Sequence, residues 1–281
     1  MIVTVFSGKG GTGKTTVSTN LFNVLKDDHD VQLVDTDVEE PNTHIFFDVQ
    51  FTEESSVDLL VPKIDDGKCT RCGICAQECQ FGAIAIGKKS SVVFATMCHG
   101  CGVCKMVCPE YAITEVPRSI GVIKRGSIFR EGDYIMGQMN TGELSGTGII
   151  REIKKLVDPK RLVIIDAPPG TSCPVLESLE GSDFALLVTE PTPFGLHDLS
   201  LAVKTVRALG IPAGIVVNRD SGAFDGIDEL SADEGIPILL RIPFSREYAA
   251  FYSNGELLTD RVAGLRDAFR GLYESVKGLV R

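Results

Sequence analysis

No apolar run in this 281-residue chain reaches the roughly 18 to 20 residues that a membrane span requires. The opening residues, Met1-Ile2-Val3-Thr4-Val5-Phe6-Ser7, lack the basic region and small-residue cleavage site of a signal peptide. Positive charge is scarce. Lys and Arg number 28 against 38 Asp and Glu, a net of −10, which argues against a general nucleic-acid binder. The four histidines, His29, His44, His99 and His197, have no ligand spacing among them. The expectation is a cytoplasmic protein, with neither nucleic acid nor a stable membrane association among its partners. Hydrophobic residues, at 43%, are enough for a sizeable core. Eight of the nine cysteines fall between Cys69 and Cys108. In a reducing compartment such a cluster points to metal before disulfides.

Residues 2–6, 31–34, 162–165, 185–189 and 214–218 read as short apolar strands, and 15–26 and 199–209 have helical spacing. Uninterrupted apolar strands suit a parallel sheet buried on both faces. The alternation predicts an α/β fold with a doubly wound, mostly parallel sheet, whose ligands bind at the carboxyl ends of the strands. Residues 62–117 break the pattern. They read as a small inserted domain between body segments 1–61 and 118–281. The insert carries six Lys and Arg against five Asp and Glu, so nearly all the negative charge lies on the body. No element is assigned to 118–147, which is rich in Gly and Met.

Gly8-Lys9-Gly10-Gly11-Thr12-Gly13-Lys14-Thr15 fits the phosphate-loop pattern G-x4-G-K-[ST], after a strand and at the start of a helix. Its glycines let backbone N–H groups turn inward around phosphate oxygens, and the helix N-terminus adds partial positive charge. Lys14 would reach the β- and γ-phosphates, and Thr15, followed by Thr16 at the same site, would ligate Mg²⁺. Asp37 and Asp166 each follow an apolar strand. A carboxylate there can position water or hold hydrated Mg²⁺, or it can cap a helix. Asn218 closes another strand, where it could serve a base or a turn.

With Lys9 inside the loop, the form Lys-Gly-Gly-x-Gly-Lys-Thr resembles the deviant Walker A motif of the MinD/ParA/Mrp class. The resemblance implies an ATP-bound homodimer in which Lys9 crosses to the nucleotide of the second subunit. It implies that Asp35-Thr36-Asp37 is switch I, with Asp37 orienting the attacking water. Asp166-Ala167-Pro168-Pro169-Gly170 would be switch II, with Asp166 binding Mg²⁺ through water. Asn218, followed by Arg219, would read adenine, and the 241–244 segment with Pro243 would flank the base. After Asp37 this chain departs from the class, with Val38-Glu39-Glu40-Pro41-Asn42 in place of Asp-Pro or Gly-Gly.

Cys69-x2-Cys72-x2-Cys75-x3-Cys79 and Cys98-x2-Cys101-x2-Cys104-x3-Cys108-Pro109 have the spacing of a two-cluster bacterial ferredoxin. By its crossing rule, one 4Fe–4S cluster takes Cys69, Cys72, Cys75 and Cys108, and the other takes Cys98, Cys101, Cys104 and Cys79. Zinc held by C-x2-C pairs is the competitor, and it leaves the third cysteine of each triplet unexplained. Gln80 stands after Cys79 where proline is usual.

Cys173, seven residues after Asp166, reads either as a small core residue or as a ligand, by similarity to the bridging cysteine of the nitrogenase iron protein. The C-terminal stretch from Asp260 to Arg281 has one apolar helical face with its positive charge diluted by acids, and reads as packed on the core. Over its whole length the chain resembles MinD/Mrp-like P-loop ATPases with an inserted α+β ferredoxin domain, including those of orange-protein complexes in anaerobes. The resemblance implies ATP, Mg²⁺ and two 4Fe–4S clusters as cofactors. It implies a dimerising ATPase that gates electron or metal–sulfur cluster transfer to a partner protein. A positioning ATPase with the clusters as redox sensor is the alternative.

Overall fold

A computed structural model describes residues 1–280. Strand β1 (Ile2–Phe6) runs into the glycine loop and helix α1 (Lys14–Leu25), and β2 (Val31–Asp35) follows. The long strand β3 (Gln50–Ile64) leads to the cysteine segment, which holds α2 (Ile74–Gln77), β4 (Ile84–Ile86), β5 (Ser91–Val93) and α3 (Val103–Met106). The chain returns on β6 (Ile113–Ser127), then β7 (Tyr134–Met139), α4 (Thr147–Leu156), β8 (Leu162–Asp166) and α5 (Cys173–Leu179). β9 (Phe184–Thr189), α6 (Pro193–Leu209), β10 (Ala213–Asp220), α7 (Gly226–Glu234) and β11 (Ile238–Pro243) continue the alternation. Helices α8 (Arg246–Ser253), α9 (Leu258–Arg261) and α10 (Leu265–Leu279) complete it.

The main sheet has nine strands in the order β11-β10-β9-β1-β8-β2-β7-β6-β3. From β11 to β7 every pairing is parallel. The last two, β7 with β6 and β6 with β3, are antiparallel. The body is therefore the mostly parallel sheet that the apolar strands predict. Successive residues of a strand face opposite layers. On β1, Val3 and Val5 join Val17, Leu21, Phe269 and Val276 of α1 and α10, while Phe6 joins Val175, Leu199 and Ile227 of α5 to α7. Ile149, Ile150 and Ile153 of α4 fill the second layer beside β7 and β8.

Helix α10 is amphipathic for the reason expected. Leu265, Phe269, Leu272, Tyr273 and Val276 recur at three and four residues and are buried. Burying a side chain such as that of Phe269 contributes roughly 1.5–3 kcal/mol. Arg281, the end of that expectation, lies outside the described residues. Among the described residues no helix is long and apolar enough to cross a membrane.

Two features differ from the expectation. The boundaries at 62 and 117 fall inside β3 and β6, which pair without a break from Leu60 and Pro117 to Ile64 and Ile113. The cysteine segment thus hangs from a ribbon that is the edge of the main sheet. The second is 118–147, which contains most of β6 and all of β7. Glycine disguised these strands. A Cβ on Gly121 would lie 2.4 Å from the Gln138 carbonyl oxygen, and one on Gly137 would lie 2.7 Å from Ile153 Cδ1. The bare backbone makes room for strand β7 and helix α4, and the same glycines weaken the strand pattern in the sequence.

Candidate functional site

Loop 8–15 sits at the carboxyl end of β1. Gly11 and Gly13 have φ of 80° and 98°, in the left-handed region that favours glycine. Gly8 has no room for a side chain, since a Cβ would stand 2.2 Å from the Asp198 carbonyl oxygen. Gly13 is the N-cap of α1, and no side chain caps that helix end. Its first N–H groups therefore point at the cavity with the positive end of the helix.

Three carboxylates lie below. Thr15 Oγ1 donates to Asp166 Oδ2 at 2.7 Å, while the buried Asp166 Oδ1 has no hydrogen-bond partner among the described residues. Burial pushes the Asp166 carboxyl up to about 8, helped by the charge of Asp35 and opposed by Lys14 and Thr15. Asp37 is pushed up to about 7, first by burial and then by Asp35, with Lys14 opposing. Such a crowded acidic site calls for a cation. Asp35 is held differently. It accepts from the N–H groups of Asp37, Asn42 and Thr43 at 3.1, 3.1 and 3.0 Å and from the Thr43 hydroxyl at 2.7 Å. Tyr134 OH in turn meets Thr43 Oγ1 at 2.8 Å. Asp35 thereby closes the whole loop that carries Asp37.

A cavity of about 340 Å³ connects these groups. Gly10, Gly11, Gly13, Lys14, Thr15, Thr16, Asp37, Asn218, Arg219 and Pro243 all line it. Gly8, Thr12 and Asp166 do not line it, and Asp166 touches it through Thr15 and Thr12 through Asn218. Asn218 Nδ2 donates to the Thr12 carbonyl at 2.8 Å, and Arg219 pairs with Glu190. Lys9 turns away, with Nζ 4.0 Å from Asp198 Oδ2. Sequence reasoning missed Tyr248 and Tyr252, which form an aromatic wall with Phe244. Their signal was present: Ser245 caps α8 by accepting from Glu247 and Tyr248, and the two tyrosines stand four residues apart on one face.

The cysteine segment repeats itself in three dimensions. Helices α2 and α3 are offset by the same 29 residues as Cys69 and Cys98. Arg71 and Gly100, Gly73 and Gly102, and Gly82 and Tyr111 form three pairs at that offset, all with positive φ. Ala83 N–H donates to Cys79 Sγ at 3.3 Å, and Ala112 N–H to Cys108 Sγ at 3.3 Å. Cys69, Cys72, Cys75 and Cys108 line one cavity. Cys79, Cys98, Cys101 and Cys104 line a second. All eight are free thiols. Burial pushes the thiols of Cys75 and Cys104 up, and the neighbouring cysteines add to the shift. Among the described residues no three such side chains converge as ligands of one metal ion would. Cys173 lies apart, exposed at the first turn of α5.

The chain matches the family described as "CbiA: CobQ/CobB/MinD/ParA nucleotide binding domain" over residues 3–258, and it belongs to that family. An uncharacterized protein of Methanocaldococcus jannaschii is 35% identical over 91% of this chain and 90% of its own length. An iron-sulfur cluster carrier protein of Pyrococcus furiosus is 26% identical over 86% of this chain and 73% of its own length. Among solved structures, the cell division ATPase MinD of Pyrococcus furiosus superposes with a TM-score of 0.59 at 20% identity, covering 99% of this chain and 98% of MinD. The Aquifex aeolicus MinC:MinD complex gives 0.60 at 14%, covering 99% and 96%. These two share the fold.

Proposed function

We propose that this chain is an ATP-hydrolysing switch carrying two 4Fe–4S clusters, and that nucleotide state gates delivery of electrons to a partner protein. One observation carries the reading: the sheet that ends in the phosphate loop also extends, through β3 and β6, into two separate four-cysteine cavities.

Phosphates lie over Gly10 to Gly13, with Lys14 neutralising the charge that develops on transfer. Asp37 orients the attacking water. Thr15 and the unpaired oxygen of Asp166 fit Mg²⁺, which when bound offsets charge on the phosphates and the carboxylates. Among the described residues Lys9 is held only by a long contact to Asp198, which leaves it able to cross into a second subunit in an ATP-bound homodimer. The base rests against Tyr248 and Tyr252. Because Asn218 Nδ2 is committed to Thr12, its Oδ1 remains to accept from a base. Adenine offers an amino group there and guanine an oxygen. Asn218→Ala is thus expected to weaken ATP binding by about tenfold, ~1.4 kcal/mol, and to erase the preference for ATP over GTP. Competition binding with both nucleotides measures this, and an unchanged preference refutes the base assignment.

In the cysteine segment each cavity combines three cysteines of one run with the last cysteine of the other. Four thiolates drawn from both runs suit a cubane, whereas zinc held by C-x2-C pairs leaves the third cysteine of each triplet unused. The clusters, when bound, supply one-electron carriers. The N–H groups of Ala83, Gly100 and Ala112 donate to cysteine sulfurs and moderate their charge. A second reading, cluster delivery instead of electron delivery, is favoured by the relatives named as iron-sulfur cluster carriers and by the exposed Cys173 beside switch II.

Anaerobically purified protein tests the proposal. It should contain about eight iron and eight sulfide per chain and hydrolyse Mg-ATP. Zinc as the dominant metal overturns the cluster reading. Clusters that cycle reversibly without loss to an apo-acceptor favour electron delivery, and their loss to it favours the carrier.

A further inference from the structure

An ion pair lies on the β3–β6 ribbon near the second cysteine cavity. Arg118 on β6 grips Glu143 with both terminal nitrogens, Nη2 lying 2.8 Å from Oε2. Its cross-strand partner is Leu59, so the two side chains share a face of the ribbon. Leu59 packs against Gly100 so closely that a Cβ there would lie 2.7 Å from Leu59 Cδ1. Leu60 and Glu115, whose side chains take the opposite face of the ribbon, line the cavity with Cys98. The guanidinium therefore stands beside the Cys98 loop. Its Nε is buried and has no hydrogen-bond partner among the described residues. The bond to Glu143 is the largest influence raising the Arg118 pKa, and the charge of Cys98 adds a smaller upward push.

Glu143 lies on loop 140–146, and both ends of that loop are set by Val38. Met139 N–H donates to the Val38 carbonyl at 2.7 Å. Gly146 fits so tightly that a Cβ would lie 2.1 Å from Val38 Cγ2. Between them Asn140 donates its N–H to the Ile120 carbonyl at 2.9 Å and its Nδ2 to the Ser119 carbonyl at 3.1 Å. Val38 directly follows Asp37. A displacement of Asp37 with the nucleotide would therefore act, through Val38, on the loop that holds the Arg118 partner.

We propose that Glu143 and Arg118 tune the potential of the cluster held by Cys79, Cys98, Cys101 and Cys104, and that Val38 makes this tuning depend on nucleotide. The proposal rests on the cluster reading above. Reduction of that cluster adds one electron and one negative charge, with no bond made or broken. In the titration below the electron comes from dithionite through mediators. A nearby cation favours the reduced form and raises the midpoint, and a carboxylate that neutralises the cation lowers it.

The test is an anaerobic potentiometric titration of the full chain, read by electron paramagnetic resonance, with ADP and with a non-hydrolysable ATP analogue. Of the two cluster midpoints, one should rise in Glu143→Gln and fall in Arg118→Met, while the other stays. In the wild type that midpoint should differ between the two nucleotides, and Glu143→Gln should remove the difference. Arg118→Lys keeps the charge without the two-pronged grip, so it should retain most of the midpoint and lose the nucleotide dependence. Iron and sulfide counts verify that each variant is loaded. Loaded variants whose midpoints match the wild type overturn this inference alone. A wild-type chain without iron and sulfide overturns the cluster reading and this inference together.

Discussion

Lys14→Ala is expected to reduce ATP turnover by about 10²–10³-fold, ~2.7–4 kcal/mol, the loss typical of removing one preorganised donor from a developing charge. The site makes the effect large. Lys14 is buried at the start of α1, lines the nucleotide cavity and opposes the upward shifts of both Asp37 and Asp166. Without it two carboxylates and the phosphates face one another with Mg²⁺ as the remaining cation. Helix α1 stays anchored by Asn23, which donates to Thr259 and Asp260 at 3.0 and 2.8 Å, so the fold should persist. Steady-state hydrolysis with circular dichroism as a folding control measures the change. A folded variant with wild-type turnover places the chemistry somewhere else.

Cys108→Ala is expected to leave about four iron per chain, half the full complement, and to remove the cluster of Cys69, Cys72 and Cys75 although Cys108 lies in the other run. The expectation follows from the proposed pairing, which the two cavities support. Cys108 lines the first cavity with that triplet, and Cys79 lines the second with Cys98, Cys101 and Cys104. A second substitution reads the identity of the surviving cluster. Adding Cys72→Ala to Cys108→Ala should cost no further iron, whereas adding Cys101→Ala should remove the rest. The opposite pattern would show that each run holds its own cluster.

The chemistry-bearing residues were recognisable because their geometry is local. A glycine loop closes over a few residues, and the same 29-residue offset governs the cysteines, the short helices and the positive-φ positions of the insert. Strands at 2–6, 162–165 and 185–189 were visible because burial on both faces leaves them almost wholly apolar. Strands β6 and β7 were hidden. Their glycines serve close packing with neighbours distant in the chain, and nothing in a local window distinguishes that from a loop. Tyr248 and Tyr252 were passed over because a pair of tyrosines on a helix face is equally a core feature. Only the cavity shows what they face.

By itself the sequence determined the composition of both sites: the phosphate loop, its acidic strand ends, and eight cysteines in two repeated runs. The tertiary structure alone decided how those parts are joined. Asp35 became a buried clasp for the Asp37 loop because Thr43 donates to it and is itself met by Tyr134 of the neighbouring strand β7. The Asn218 amide nitrogen was tied to a carbonyl 206 residues away. The insert became an extension of the nucleotide sheet through hydrogen bonding along β3 and β6. Each depends on pairings between residues far apart in the chain, set by packing and register, which local periodicity and spacing do not encode.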